Sequence, residues 1–349
     1  MIGASARSAF ARREVLALPL LGAALSRPGR IQAVEPGKPS RTAVAVAAAR
    51  AIGSRNPDES TRNPDYLAQK LLAAGDLERV KGISEYDSFH MSWPQVVEHA
   101  KLQSAGLLAN HSGFLPFSGL TLRTRHFDAA VLAALENGTE QIVILGAGLD
   151  SRAYRLTSSW DKGRVFEVDL PPTQEHKKRT ASSAIGPPPS NLRYVPIDLT
   201  QESLEDVLPL SGYRTNAKTL FLWEGVTMYL PKTAVQSTLA FVARHAGQGS
   251  SVIFDYQDEL TISEDYDDEV WKSWAKLVVE WGEPWLFGIP NGGEGNVFQL
   301  VAAQGLEVIS DFTMGELCVK YLPSRILPAT FGLDRWAWRI CHATQRPRR

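Results

Sequence analysis

The stretch Gln141–Arg152, QIVILGAGLDSR, decides the fold. Its first five residues are nearly all apolar, as in a strand buried on both faces of a sheet. The strand runs directly into Gly146-Ala147-Gly148, a G-x-G turn whose glycines let the backbone bend sharply and approach a ligand closely. A dinucleotide fingerprint wants a third glycine where Ser151 stands, and an uncluttered helix N-terminus for a pyrophosphate. Asp150 in this loop repels phosphate instead. It suits a ligand carrying an ammonium or sulfonium charge, and S-adenosyl-L-methionine is such a ligand.

Downstream of this turn, short β-rich runs alternate with helical or loop segments. Arg164–Val168 ends at Asp169, Leu192–Ile197 at Asp198, Thr219–Trp223 at Glu224 and Ser250–Phe254 at Asp255. Ligands of open α/β sheets bind outside the carboxyl ends of the strands, where these acids fall. Asp169 follows Gly146 by 23 residues, the place of an acid that binds ribose hydroxyls. A strand-end Asp taken alone reads equally as a helix N-cap, and that alternative stays open for Asp198. The pattern predicts an α/β, Rossmann-like, seven-stranded and mostly parallel sheet with helices on both faces. Leu306–Phe312 and Arg335–Cys341 read as its closing strand pair, with the last strand antiparallel.

Upstream, Thr42–Ile52 is an Ala-rich helix former with Ser40 placed to cap it. Tyr66–Ala74 reads as a second helix and Phe127–Leu135 as an amphipathic one stopped by Asn137-Gly138. After Asp255, a Trp-rich helical insertion (Trp271, Trp274, Trp281, Trp285) precedes the loop Gly288–Gly295. The expected domains are an N-terminal segment 1–35, a helical cap 36–125 and an S-adenosyl-L-methionine-binding domain 126–349 with an inserted lid about 257–300. The expected location is cytoplasmic, with a frayed helix at the start of the chain; the alternative is export, since Arg12-Arg13 before the apolar run Val15–Leu25 is similar to a twin-arginine signal.

The chain has 349 residues and a formal net charge of −1, a balance that argues against attachment to nucleic acid or anionic membrane through bulk charge. The two cysteines cannot make a disulfide framework, and the seven scattered histidines give no zinc-ligand spacing. No resident metal is expected.

Several segments together resemble the leucine carboxyl methyltransferase-like family of class I S-adenosylmethionine-dependent methyltransferases, in its bacterial O-methyltransferase branch. They are SRTAVAVAAARA (40–51), RTRHFDAA (123–130), VILGAGLDSRAYRL (143–156), VFEVDLP (165–171), PIDL (196–199), LWEGVTMYLP (222–231) and EPWLFGIP (283–290), in the family's order. The resemblance implies that the Gly146–Gly148 loop passes under the methionine part of the cofactor and that Asp169 holds the ribose. It further implies that Asp198 and Leu199 frame the adenine, that Arg125 pairs with the cofactor carboxylate, and that Glu224 lies near the transfer centre. The candidate cofactor-binding set is thus Arg125, Gly146, Ala147, Gly148, Asp150, Asp169, Leu170, Asp198, Leu199 and Glu224. Leu170-Pro171-Pro172 departs from the family as a stiffer turn.

The implied reaction is O-methylation of a carboxylate or hydroxyl on a small-molecule acceptor. A carboxylate needs no base, whereas a hydroxyl needs one, for which Glu224 and Tyr229 are the candidate catalytic residues. Two other classes share the sheet: a nicotinamide-dependent oxidoreductase and a non-catalytic S-adenosylmethionine-binding protein.

Overall fold

The computed structural model describes residues 38–99, 118–156, 163–262, 269–323 and 338–346. Arg12-Arg13, Val15–Leu25 and residues 335–337 of the expected last strand lie outside these ranges.

Seven strands form one sheet: β1 Gln141–Leu145, β2 Arg164–Asp169, β3 Leu192–Pro196, β4 Thr219–Trp223, β5 Ser251–Gln257, β6 Leu306–Thr313 and β7 Trp338–Gln345. Their order is β3-β2-β1-β4-β5-β7-β6. The first five run parallel, and β7 is antiparallel to both β5 and β6. The chain steps outward from β1 to β2 and β3, then returns to the other side of β1 as β4. That reversal is the switch point at which such sheets open a ligand crevice, and the glycine turn leaves β1 there.

The helices among the described residues are α1 Arg41–Gly53, α2 Ser84–Ser88, α3 Ser118–Glu136, α4 Arg152–Arg155, α5 Pro171–Ala184, α6 Leu204–Val207, α7 Lys232–Arg244, α8 Glu269–Glu280, α9 Val297–Ala303 and α10 Met314–Tyr321. Strand side chains alternate between two cores, as the two-residue period demands. Ile142, Ile144, Leu220 and Leu222 pack with Val44 and Ala47 of α1 and with Leu122 and Phe127 of α3. Val143, Leu145, Phe221 and Trp223 pack on the opposite face with Val235 and Leu239 of α7 and Leu300 of α9.

Helix α1 is buried nearly all round. Its other side, Ala48 and Ile52, meets Phe89 and Val96 in a smaller cluster. Its N-cap is Ser40, whose hydroxyl accepts from the Ala43 amide at 3.1 Å. The helices near the N-terminus therefore share a core with the sheet. Among the described residues, no helix is long and apolar enough to cross a membrane.

Four boundaries differ from the sequence reading. Tyr66–Ala74 is not an α-helix; only Ala68–Leu71 winds, as a 3₁₀ turn after Asn63-Pro64. Helix α3 is already wound at Ser118, nine residues before Phe127, a start that the Thr- and Arg-rich sequence 118–126 does not advertise. Strand β5 continues to Gln257, which puts Asp255 inside the strand, and β7 extends to Gln345.

Candidate active site

The turn after β1 requires both of its glycines. Gly146 and Gly148 adopt φ of +62° and +46°, in the left-handed region. Space is a second constraint on Gly146: a Cβ there would lie 2.4 Å from Cγ2 of Val226, in the turn after β4. Ala147 is buried, and its amide donates to the Val168 carbonyl at 3.0 Å, fastening the loop to β2.

Asp169, at the end of β2, accepts from the Gly148 amide and, at 2.6 Å, from the Leu170 amide. One carboxylate thus joins the glycine loop to the turn that starts α5. Burial pushes its pKa up to about 6, with the two amides and Lys177 pulling the other way. Leu170 is the half-buried N-cap position of α5. Pro171 occupies the first helical position, where its missing N–H has no helical partner to lose.

Beneath the loop lies a buried ion cluster. Glu224, directly after β4, takes Arg123 Nε on Oε1 at 2.8 Å, and Arg152 Nη1 lies 2.7 Å from its Oε2. Arg123 also donates from Nη1 to Asp255 at 2.9 Å, and its guanidinium lies 4.7 Å from the Trp338 ring centroid. Asp255 in turn accepts from the Gly225 amide at 2.5 Å and from Trp338 Nε1 at 2.8 Å. Arg152 pairs with Asp150 and Asp128, Arg155 with Asp128 and Asp65, and Arg50 with Asp65. Burial alone would raise the Glu224 pKa, but Arg152 and Arg123 outweigh it and hold the carboxyl below the ordinary value.

Three expectations are corrected here. Arg125 does not join this cluster. Its guanidinium donates to the Glu59 and Arg62 carbonyls at 2.6 and 2.8 Å, and Arg123 is the arginine that turns to the strand ends. Residues two positions apart on a helix point about 200° from each other, so Arg123 and Arg125 cannot both face the same site. Asp150 is no open charge: it is buried against Arg152, which with Lys177 and Arg50 overcomes burial and brings its pKa down to about 2. Asp198 closes a local turn, accepting from the Thr200 amide at 2.9 Å and hydroxyl at 2.6 Å, and does not cap the helix that follows: the N-cap of α6 is Ser203. Leu199 packs on the core beside it.

The segment after α8 meets the start of α1 through Glu283, a residue that the sequence pattern EPWLFGIP contains but to which it gives no role. Its carboxylate accepts the Ser40 hydroxyl at 2.8 Å, the Arg41 amide at 2.6 Å, and the Thr42 amide and hydroxyl at 3.1 and 2.6 Å. An acid thereby satisfies the free amides at the start of α1. Tyr229 follows the Glu224 turn. Burial pushes its phenol up to about 12, against opposing effects of Trp285, Thr42 and Arg123. Trp285 stacks obliquely on Trp271 at 5.6 Å, whereas Trp274 and Trp281 pack into the core of the sheet.

These features fit S-adenosyl-L-methionine. Arg50, Arg123, Arg152 and Arg155 face Asp65, Asp128, Asp150, Glu224 and Asp255, one acid more than bases. A ligand bearing a sulfonium, an ammonium and a carboxylate carries the complementary single positive charge. Arg123 keeps Nη2 uncommitted among the described residues, and the Asp169 oxygens retain lone pairs for hydroxyl donors.

Comparison with known proteins agrees with this geometry. A Mycolicibacterium vanbaalenii protein named for S-adenosyl-L-methionine-dependent methyl transfer is 30% identical over 300 residues, covering 83% of this chain and 89% of its own. A Mycolicibacterium smegmatis protein of the same description is 30% identical over 238 residues, 68% of this chain and 73% of its own. Among solved structures, a Thermobifida fusca protein described as a methyltransferase shares the fold, with a TM-score of 0.50 and 13% identity over 85% of this chain and 98% of its own. The profile of the leucine carboxyl methyltransferases matches residues 43–243, from the capped start of α1 through the glycine turn, Asp169 and Glu224 to the end of α7. With its crevice, its acids and more than half its length accounted for by that one pattern, the chain belongs to the leucine carboxyl methyltransferase family of S-adenosyl-L-methionine-dependent enzymes.

Proposed function

We propose that this methyltransferase acts on a carboxylate oxygen of a small acceptor, forming a methyl ester. The observation that carries the proposal is the clamp on Glu224. Two arginines hold its carboxyl below the ordinary range, which makes it a poor proton acceptor at neutral pH. Tyr229 has the opposite defect. With its phenol near 12 it keeps its proton, so it can donate a hydrogen bond but cannot act as a base. An acceptor that arrives ionised requires neither.

S-adenosyl-L-methionine supplies, when bound, a methyl group on a sulfonium leaving group. The protein's part is to position the reactants and exclude water. The Gly146–Gly148 loop gives close backbone approach, Asp169 accepts from ribose hydroxyls, and the free Nη2 of Arg123 meets a cofactor carboxylate. Tyr229 donates to an acceptor oxygen and fixes its direction. Trp271 and Trp285 cover that side with apolar surface, which favours an acceptor with an apolar or aromatic body.

The test is the chemistry of the product. With methyl-labelled cofactor and a panel of small acids and phenols, the label should enter an acid and be released as methanol by mild alkali. Alkali-stable label on a phenol would overturn the carboxylate assignment, and label on nitrogen or carbon would overturn O-methylation altogether.

A further inference from the structure

A second concave site lies away from the glycine loop. It runs along α5 from its second turn to its C-terminal end and is closed on the other side by the segment 70–79. The cavity measures about 610 Å³. Lys38, Lys70, Arg79 and Arg179 line it, and the acid among its lining residues is Asp76. Asp76 is already engaged: it is buried, accepts from the Ala73 amide at 2.7 Å, and lies 2.9 Å from Nε2 of His176 in the floor. Arg79 is fixed in place by donating to the Pro39 carbonyl at 2.7 Å.

Lys70 and Arg179 are exposed and pair with no acid among the described residues. On a chain whose overall charge is −1, four cationic side chains on one groove are a local concentration of charge, not a reflection of composition. The C-terminal end of α5 contributes the unfavourable end of its dipole, equivalent to roughly half a negative charge. The four cations outweigh it.

We propose that this groove binds a compact oligophosphate group carried by a small molecule. A single carboxylate could engage one or two of the four cations. Linked phosphates present several anionic oxygens within a few ångströms and can meet lysines and arginines from both walls, with arginine forking onto two oxygens. The volume is that of a small-ligand site. The site is separate from Asp169 and the ion cluster, so its occupant differs from the methyl donor.

Calorimetric titration of the full chain with inorganic tripolyphosphate tests this, beside a Lys70→Ser/Arg179→Ser double variant. Both substituted side chains are exposed and outside the cofactor site, so methyl-donor affinity should stay within about twofold and report an intact fold. The wild-type chain should give saturable one-to-one binding that weakens with added salt, and the double variant should bind about tenfold or more weakly. Absence of saturable binding at low ionic strength, or equal affinity in the two proteins, overturns the proposal. So does a single-stranded oligonucleotide that binds the groove more tightly than tripolyphosphate and loses that binding in the variant, because the ligand would then be a macromolecular polyanion.

Discussion

Glu283 and Ser40 meet across 243 positions of sequence, the serine hydroxyl donating to the Glu283 carboxylate at 2.8 Å. Ser40 at the same time caps α1 by accepting from Ala43, so one hydroxyl orders the helix start and ties it to the inserted segment. The segment after α8 is thus held by a four-donor socket at the helix N-terminus rather than by its tryptophans alone.

Glu283→Ala should lower stability by about 2–4 kcal/mol, since it leaves two amides and two hydroxyls without their buried acceptor. Glu283→Gln should recover part of that loss, because one oxygen still accepts while the new NH₂ opposes the remaining donors. Urea denaturation with a common slope measures both. An Ala variant with the wild-type midpoint would show that the socket contributes nothing net.

Arg123 and Arg125 should separate cleanly. Arg123→Lys keeps the charge but loses the fork that spans Glu224 and Asp255, so methyl-donor affinity should fall about tenfold or more. Arg125→Lys touches only carbonyls of the 59–62 turn and should change affinity less than about twofold, with stability lowered by about 1 kcal/mol. The opposite ranking in a binding titration would return the cofactor-carboxylate role to Arg125.

This pair shows where the sequence was legible and where it was not. The central strands were readable because β1 and β4 are short apolar runs bounded by turn residues, and Asp169 at the end of β2 and Glu224 just after β4 fall at the crevice by topology alone. RTRHFDAA marked the right stretch of chain, but choosing between arginines two apart needs the rotational phase of α3, and a helix start without an apolar stripe does not reveal it. Asp150 was misread for a related reason. Its partner, Arg152, is only two residues on, but the turn from loop into α4 that folds one onto the other leaves no mark in composition. Glu283 could not be assigned at all, since its role exists only once residues 40–42 arrive beside it.

The glycine turn should be intolerant in an unequal way. Gly146→Ala forces a side chain into the left-handed region, at about 1–2 kcal/mol, and into Val226 besides. Gly148→Ala carries the same left-handed cost, but the nearest atom to its Cβ is Ala43 Cβ, at 3.3 Å, a contact that a shift of a few tenths of an ångström relieves. Thermal unfolding should rank Gly146→Ala below Gly148→Ala. Shortening the obstacle with Val226→Ala should rescue part of the Gly146→Ala loss but none of the Gly148→Ala loss.

Asp169 gives a pH dependence with opposite signs for stability and binding. Its folded value of about 6 lies above the ordinary 3.8. Between the two, the unliganded fold holds a proton that the unfolded chain has released. This group's contribution to stability is therefore fully present below the ordinary value and is lost as pH rises through about 6. Cofactor affinity should move the other way, rising through about 6 as the carboxyl ionises and becomes a full acceptor for ribose hydroxyls, then levelling. In Asp169→Asn the binding step should vanish and affinity at neutral pH should fall by about 1.5–3 kcal/mol. A wild-type affinity flat across that range would remove Asp169 from the binding site.

Glu224→Gln distinguishes a clamped acid from a general base, because the two roles fail in different measurements. As a base, Glu224 would be needed only for proton removal, and the amide would cut kcat about 100-fold or more while leaving cofactor affinity intact. As the partner of Arg123 and Arg152, it is needed for the site to exist as a neutralised cluster, and removing its charge leaves two buried guanidiniums short of a counterion. Breaking such a pair costs about 3–5 kcal/mol, divided between folding and ligand binding. The expected outcome is therefore a lower unfolding midpoint and weaker methyl-donor binding, with kcat at saturating cofactor reduced less than about tenfold. The shape of the pH–rate profile should also persist, since no group that titrates in the working range has been lost. A variant that binds cofactor normally and fails only in turnover, with the rise in the profile abolished, would restore Glu224 as the base and bring a hydroxyl acceptor back with it.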